Sequence, residues 1–409
     1  MIRKGGLWME KDAYRLFSTL ETVPHAHKRA QINTDALCHN YRTLCAHVHA
    51  SSPHTRPIAV VKADAYGHGA PFCVRALLGA GCDFFAVSCI EEAIAVRRTC
   101  NEVGKSADVL ILGYTDPSLA PLLQEHALTQ TLLSRPYAEA LAKQADACGV
   151  RLRTHVAVDT GMGRIGFPAR TREELASAAD DVTAVAALSA LDVCGMFTHF
   201  ANADVNGDEA EAATNRQSAR YRALRSKLER RGVAIPFHHV CNSAASVQRT
   251  QDAFDGVRLG ILLYGAAHAL HACLDLRPVM RLSADVVHVQ TLPVGETVGY
   301  GGRFCADGER RIAVLPIGYA DGVPRALRGA TLTAHTPSGA YPVPVVGNVC
   351  MDQCMIDVTD TDADVGTRVT LFGDTPDQLA ALSAYAKTID YELLCAVSAR
   401  VTREYRTTL

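Results

Sequence analysis

A lysine at the end of an apolar, β-branched run is the first residue of this 409-residue chain whose setting calls for chemistry. It is Lys62 in "RPIAVVKADAYGHGA", Arg56 to Ala70, with Tyr66, Gly67, His68 and Gly69 close behind. Among 41 basic residues the lysines are few, and Lys62 alone closes a strand-like stretch. An ammonium there loses hydration unless it is paired, neutralised or used covalently. The plain alternative is a lysine that snorkels from a strand end to solvent. A desolvated lysine, by contrast, can be neutral near pH 7 and act as a nucleophile or a base.

The elements around Lys62 favour the reactive reading. Short β-rich runs recur at Ile58–Val61, Phe84–Val87, Asp108–Leu112, Leu128–Leu133, Leu152–Val158, Val193–Thr198, Phe237–Val240 and Val257–Leu259, with helix-like stretches between them. Eight such units predict an N-terminal (β/α)8 TIM-type barrel, and no glycine-rich dinucleotide turn follows the first strand. Reactive groups of such a barrel belong just after its strands. Lys62, His199, Asn242 with Ser243, and Arg258 with Gly260 fall there, after the first, sixth, seventh and eighth. Ser243 and the amides of Gly260 and Ile261 occupy the loops where barrels often bind phosphate. From about Cys273 the texture changes to short alternating strands broken by Gly, Pro and Asp turns, which predicts a mainly-β C-terminal domain. The expected division is an N-terminal extension over 1–28, an α/β barrel over 29–272 and a β domain over 273–409.

Composition narrows the partners. A net charge of -2 and a pI near 6.8 provide no field for nucleic acid or an anionic membrane. No stretch has the length and apolarity of a membrane span, and the N-terminal segment lacks a secretory signal's apolar run. A cytoplasmic protein acting on a small molecule is expected. The fourteen cysteines are scattered through apolar runs, without metal-ligand spacing or a disulfide framework, so no metal is expected.

A strand-end lysine beside a phosphate site suits a sugar-phosphate aldolase as well as a pyridoxal-phosphate enzyme. The motifs separate them: "VVKADAYGHG", "VDTGMGRIGF", "GMFTHFANAD", "HHVCNSAA", "VRLGILLYG", "VGYGGRF", "LPIGYADGVPR" and "GNVCMDQCMIDVT" occur in that order. With them the chain resembles the alanine racemase family of fold-type III pyridoxal-phosphate enzymes, from about Arg29 to Tyr405. The resemblance implies that Lys62 carries pyridoxal 5'-phosphate as a Schiff base. Tyr66, Ser243 and the backbone of Gly260 and Ile261 would hold the phosphate, with Tyr264 packing nearby. It implies His199 against the pyridine ring, His239 and Asn242 in support, and Arg258 facing the ring nitrogen, where a cation disfavours protonation. Lys62 and Tyr300 would be two bases on opposite faces of the substrate, Tyr300 arriving from the partner of a homodimer whose active sites lie at the subunit interface. An ordinary phenol titrates near ~10, so such a tyrosine needs cationic neighbours. Arg164 would bind near the cofactor's phenolic oxygen and the substrate carboxylate, the Met351–Asp352 loop of the partner subunit would frame that carboxylate, and Tyr319, a substrate-binding candidate, would stand with Asp204 at the entrance.

Three positions depart from the family's pattern. Ala157 stands where many members carry a carbamylated lysine that orients the arginine corresponding to Arg164, Asn348 replaces an arginine, and Ala399 replaces a tyrosine found in some members. The expected activity is interconversion of L- and D-alanine, supplying D-alanine for peptidoglycan. Racemisation of serine or a broader range of amino acids is the neighbouring possibility, and a non-catalytic pyridoxal-phosphate-binding barrel is another. The latter consists of the barrel alone, whereas this chain continues well beyond it. A metal-dependent barrel hydrolase would need clustered His and carboxylate ligands, which the strand ends lack.

Overall fold

A computed structural model describes residues 26–267 and 274–406. Its contacts divide the chain into two compact units, one over Asn33–Val279 and the other combining the chain up to Ile32 with Met280–Arg406.

The first unit is a closed barrel of eight parallel strands: Arg56–Val60, Phe84–Val87, Asp108–Ile111, Thr129–Leu132, Leu152–Asp159, Leu191–Phe197, Phe237–His239 and Gly256–Leu259. Each pairs with the next, and the last closes on the first through Gly256 opposite Arg56 and Arg258 opposite Ile58. All eight sequence-predicted runs are strands. Several read as continuous apolar runs because helices cover the outside while side chains fill the inside; Phe84–Val87 and Gly256–Leu259 are buried at every residue. Side-chain caps start the helices where the sequence changes period. Asn33, Ser134 and Thr171 accept from the amides of Ala36, Tyr137 and Glu174, opening Thr34–Ser51, Arg135–Cys148 and Arg172–Ala186. At the N-terminal face, Asp108 accepts from Arg56 and Arg153, each at 2.6 Å. Burial pushes the Asp108 carboxyl up, but the two arginines outweigh this and hold it below its ordinary range. Charge at this end stabilises the barrel and leaves the opposite face to function.

The second unit is built on a nine-stranded sheet in the order His288–Leu292, Arg310–Leu315, Cys354–Asp357, Gly339–Val346, Thr331–Thr336, Arg368–Phe372, Met280–Asp285, Lys28–Asn33 and Thr402–Arg406. A separate hairpin joins Thr297–Val298 to Phe304–Cys305. Val298, Ile312, Val346 and Met355 form a buried cluster, with Phe304 and Leu292 packed against it.

The division differs from the expected one. Lys28–Asn33 pairs antiparallel with Met280–Asp285, so its residues to Ile32 stand with the C-terminal unit, and the break falls at 32/33 and 279/280. Residues 1–25 of the expected extension and the 272/273 boundary lie outside the described residues.

Candidate active site

Lys62 follows the first barrel strand and opens a turn whose hand is reversed. Ala63, Asp64, Ala65 and Tyr66 have φ of 52°, 52°, 55° and 53°. Left-handed winding costs an L-residue roughly 1–2 kcal/mol and is ordinarily confined to single residues, so four in succession need external support. Glu92 supplies it, one carboxylate oxygen accepting from Ala63 N–H at 2.7 Å and the other from Ser88 N–H at 2.8 Å. Asp64 accepts from Ala70 N–H at 2.7 Å, while Ala65 and Tyr66 are buried. The turn places Lys62 half-buried at the C-terminal end of the barrel and points Tyr66 inward.

Tyr66 meets the loops after the seventh and eighth strands. Its ring lies 4.9 Å from that of Tyr264, whose hydroxyl donates to the Val60 carbonyl. Ser243 Oγ accepts from Gly260 N–H at 2.7 Å, so its own proton can be offered to an anion. A Cβ on Gly260 would lie 2.9 Å from the Tyr66 hydroxyl and 3.3 Å from Ser243 Oγ, closer than side chains tolerate. Gly260 therefore keeps open a cradle made by Tyr66, Ser243 and the backbone entering Ile261. Asn242 caps the following helix, accepting from Ala245 N–H and donating to the Phe200 carbonyl.

Arg258, 3% exposed, lies in the same barrel. It donates to the carbonyls of Thr198, His239 and Val240 and to His239 Nδ1 at 2.8 Å, and approaches His199 Nδ1 at 3.4 Å. Burial brings its guanidinium down to about 10. Burial, then Arg258, Arg164 and Lys62, push His199 down to about 2, and burial with Arg258 holds His239 well below its ordinary value. Both imidazoles are neutral at working pH. Arg164 itself is exposed, in a loop wound by Asp159, which accepts from the amides of Gly161 and Gly163. Ala157 is buried and adds no charge there, and Asp204 lies exposed after the sixth strand.

The second unit gathers the remaining candidates. Tyr300, 72% exposed, tops the hairpin between Thr297–Val298 and Phe304–Cys305, in a turn where Gly299, Gly301 and Gly302 all take positive φ. Asn348 donates to the Tyr300 carbonyl at 2.8 Å, a backbone tie that accompanies the loss of the family's arginine. Tyr319 N–H and Ala320 N–H donate to the carbonyls of Cys350 and Met351, which holds the Tyr319 and Met351–Asp352 loops together. Buried Asp321 accepts from Lys28 and Gly318 N–H, and Arg400 bridges it to Asp352. Glu92, Asp321 and Arg400 escaped the sequence reading, because each acts on backbone or on another charge and lies in a segment that reads as helix or turn.

The profile of the alanine racemase N-terminal domain matches residues 32–268, and that of the C-terminal domain residues 279–405. Curated relatives include the alanine racemase of Clostridium novyi, 38% identical over 387 residues, covering 92% of this chain and 94% of the relative. The alanine racemase of Desulfovibrio desulfuricans is likewise 38% identical, over 92% of this chain and 97% of its own. Among solved structures, the alanine racemase of Clostridium difficile superposes with a TM-score of 0.81 at 32% identity, over 94% of this chain and 97% of that one. That of Bacillus anthracis with bound L-Ala-P gives 0.82 at 29% identity, over 94% and 96%. With both domain profiles matched in order and relatives similar across nearly the whole chain, this protein belongs to the alanine racemase family.

Proposed function

We propose that this protein interconverts L- and D-alanine with pyridoxal 5'-phosphate held on the C-terminal face of the barrel. The observation that carries the reading is the convergence, at the ends of separate strands of one barrel, of Lys62 with the Tyr66–Ser243–Gly260 cradle and the buried Arg258. The residues fit the cofactor: the space a Cβ on Gly260 would fill is lined by a phenol and a serine hydroxyl, groups suited to a phosphate oxygen. When bound, pyridoxal phosphate supplies a carbonyl that reacts with amines and a conjugated ring that eases loss of the proton α to a carboxylate.

The chain's own groups do the rest. Tyr66, Ser243 and the backbone at Gly260 and Ile261 would hold the phosphate, the Gly260 amide acting through its bond to Ser243 Oγ. His199 would support the cofactor's ring, with His239 and Asn242 supporting the site. Arg258 offers only donors, so it would hold the cofactor's ring nitrogen unprotonated and restrain side reactions. Lys62 moves a proton on one face of the substrate, and Tyr300 of the partner subunit moves it on the other. Arg164 binds the substrate carboxylate, with Met351 of the partner subunit and Asp352 of the partner subunit framing it and Tyr319 near the entrance.

This reading makes the working unit a homodimer and gives D-alanine for peptidoglycan as its product. A cytoplasmic location suits cysteines that are free thiols throughout the described residues. Among the described residues no helix is long and apolar enough to cross a membrane.

Purified protein supplied with pyridoxal phosphate should develop a visible absorption band and racemise alanine, and Lys62→Ala should lose both. Racemisation retained by Lys62→Ala would overturn the assignment. Comparing kcat/KM for alanine, serine and lysine tests the substrate, and a clear lysine preference would displace alanine.

A further inference from the structure

Behind Arg258, toward the middle of the barrel, two buried histidines continue its line of contacts. Arg258 Nη1 lies 2.8 Å from His239 Nδ1, and His239 Nε2 lies 3.0 Å from Nδ1 of His155, on the fifth barrel strand. His239 is 0% exposed and His155 3%.

The proton positions along this line follow from chemistry. While Arg258 is aimed as it is here, its guanidinium presents donors and no acceptor, so His239 Nδ1 is bare in this arrangement. Neutral His239 then carries its one proton on Nε2 and donates it to His155. Nδ1 of His155 must be bare in turn, placing its proton on Nε2. The three groups form a one-way series in which Arg258 donates to His239 and His239 to His155. Were His155 unable to accept, His239 would lose the partner that favours its Nε2–H form. In the opposite tautomer an N–H would meet the guanidinium N–H groups at hydrogen-bond distance, donor against donor.

The surroundings fix His155 in that role. Its ring packs at 6.3 Å, edge-on, from Phe84 and at 6.0 Å from Phe237, neither of which competes for its nitrogens. The other side is kept clear by Gly195, where a Cβ would lie 2.4 to 2.5 Å from three atoms of the His155 ring. The glycine in "LDVCGMF" thus makes room for the imidazole.

We propose that His155 is a positioning residue, which fixes the tautomer of His239 and through it the aim of Arg258 at the cofactor ring. The proposal rests on the reading that Arg258 faces that ring, but its core can be measured without turnover. In the full-length protein with 15N-labelled histidine, nitrogen NMR before and after adding pyridoxal phosphate reads which nitrogen of each ring is protonated. His155→Leu and His239→Gln identify the signals. The expected result is a bare Nδ1 and a protonated Nε2 in both rings. His155→Leu should leave His239 as mixed tautomers, shift the visible band of the bound cofactor and weaken its affinity on the order of tenfold. His155→Gln, which keeps an acceptor oxygen, should restore the band toward wild type, a rescue that repacking alone would not bring. A wild-type His239 protonated at Nδ1 would overturn the proposal even if the leucine variant fails to fold. So would a leucine variant whose His239 signals and cofactor band match wild type. If the tautomers are as expected but no alanine is racemised, the functional reading fails and the histidine relay stands.

Discussion

Arg258 is surrounded by acceptors: three carbonyls and an imidazole nitrogen hold a guanidinium that burial has already made costly. Asn348 works on a smaller scale, holding Tyr300 by one bond to its carbonyl. Asn348→Ala should lower kcat about fivefold with little change in stability, in keeping with one neutral hydrogen bond of ~1 kcal/mol; steady-state kinetics beside a denaturation curve would show it. Gly260→Ala should act on the cofactor instead, because its Cβ enters the cradle between Tyr66 and Ser243. Titration with pyridoxal phosphate should give a dissociation constant raised at least about tenfold. At this scale the sequence was legible wherever a residue's type is unusual for its place. A lysine at a strand end and a serine after a strand both stand out. Asn348 was legible only as a missing arginine, since a side chain that bonds to backbone leaves no pattern, and His155 lies unmarked within an apolar strand.

The left-handed turn shows what an element can hide. "KADAY" contains no glycine before Gly67, and ordinary propensity places its alanines in a right-handed helix. The reversal is held from outside by Glu92, from the helix Ile90–Val103, which accepts from Ala63 N–H in the turn and is itself tied to Ser88 N–H. Glu92→Ala should therefore cost about 2 kcal/mol of stability, the range for hydrogen bonds to a charged group. It should also loosen the hold on cofactor, because Lys62 and Tyr66 lose their fixed separation; urea denaturation and cofactor titration read the two effects. The first three barrel strands were legible because burial on both faces writes them as apolar runs. The stretch from Arg29 was placed in the barrel, yet the strand Lys28–Asn33 pairs with Met280–Asp285, far along the chain. A strand's own pattern states which face is buried but not which strand lies beside it.

For the whole molecule, the buried histidines set an acid limit. Burial lowers His155 from 6.5 to about 3 and puts His239 well below 6.5. Between the folded and unfolded values the unfolded chain binds the extra proton, so stability rises with pH across that window and is lost as pH falls below ~6.5. Each histidine contributes a slope of up to about 1.4 kcal/mol per pH unit. Denaturation at pH 7, 6, 5 and 4 should show a loss that steepens below 6, and His155→Gln should flatten it; a flat profile for wild type would show that these rings are protonated in place. The central claim, however, is that each active site is shared, with Lys62 from one chain and Tyr300 of the partner subunit completing it. Mixing Lys62→Ala protein with Tyr300→Ala protein tests this most directly, under conditions where subunits exchange. Each variant alone should be inactive toward alanine. Because half of the dimers become hybrids with one intact site, the mixture should recover about a quarter of wild-type activity. A mixture that stays inactive after exchange has been verified, or a Tyr300→Ala protein that racemises alanine by itself, would contradict the account.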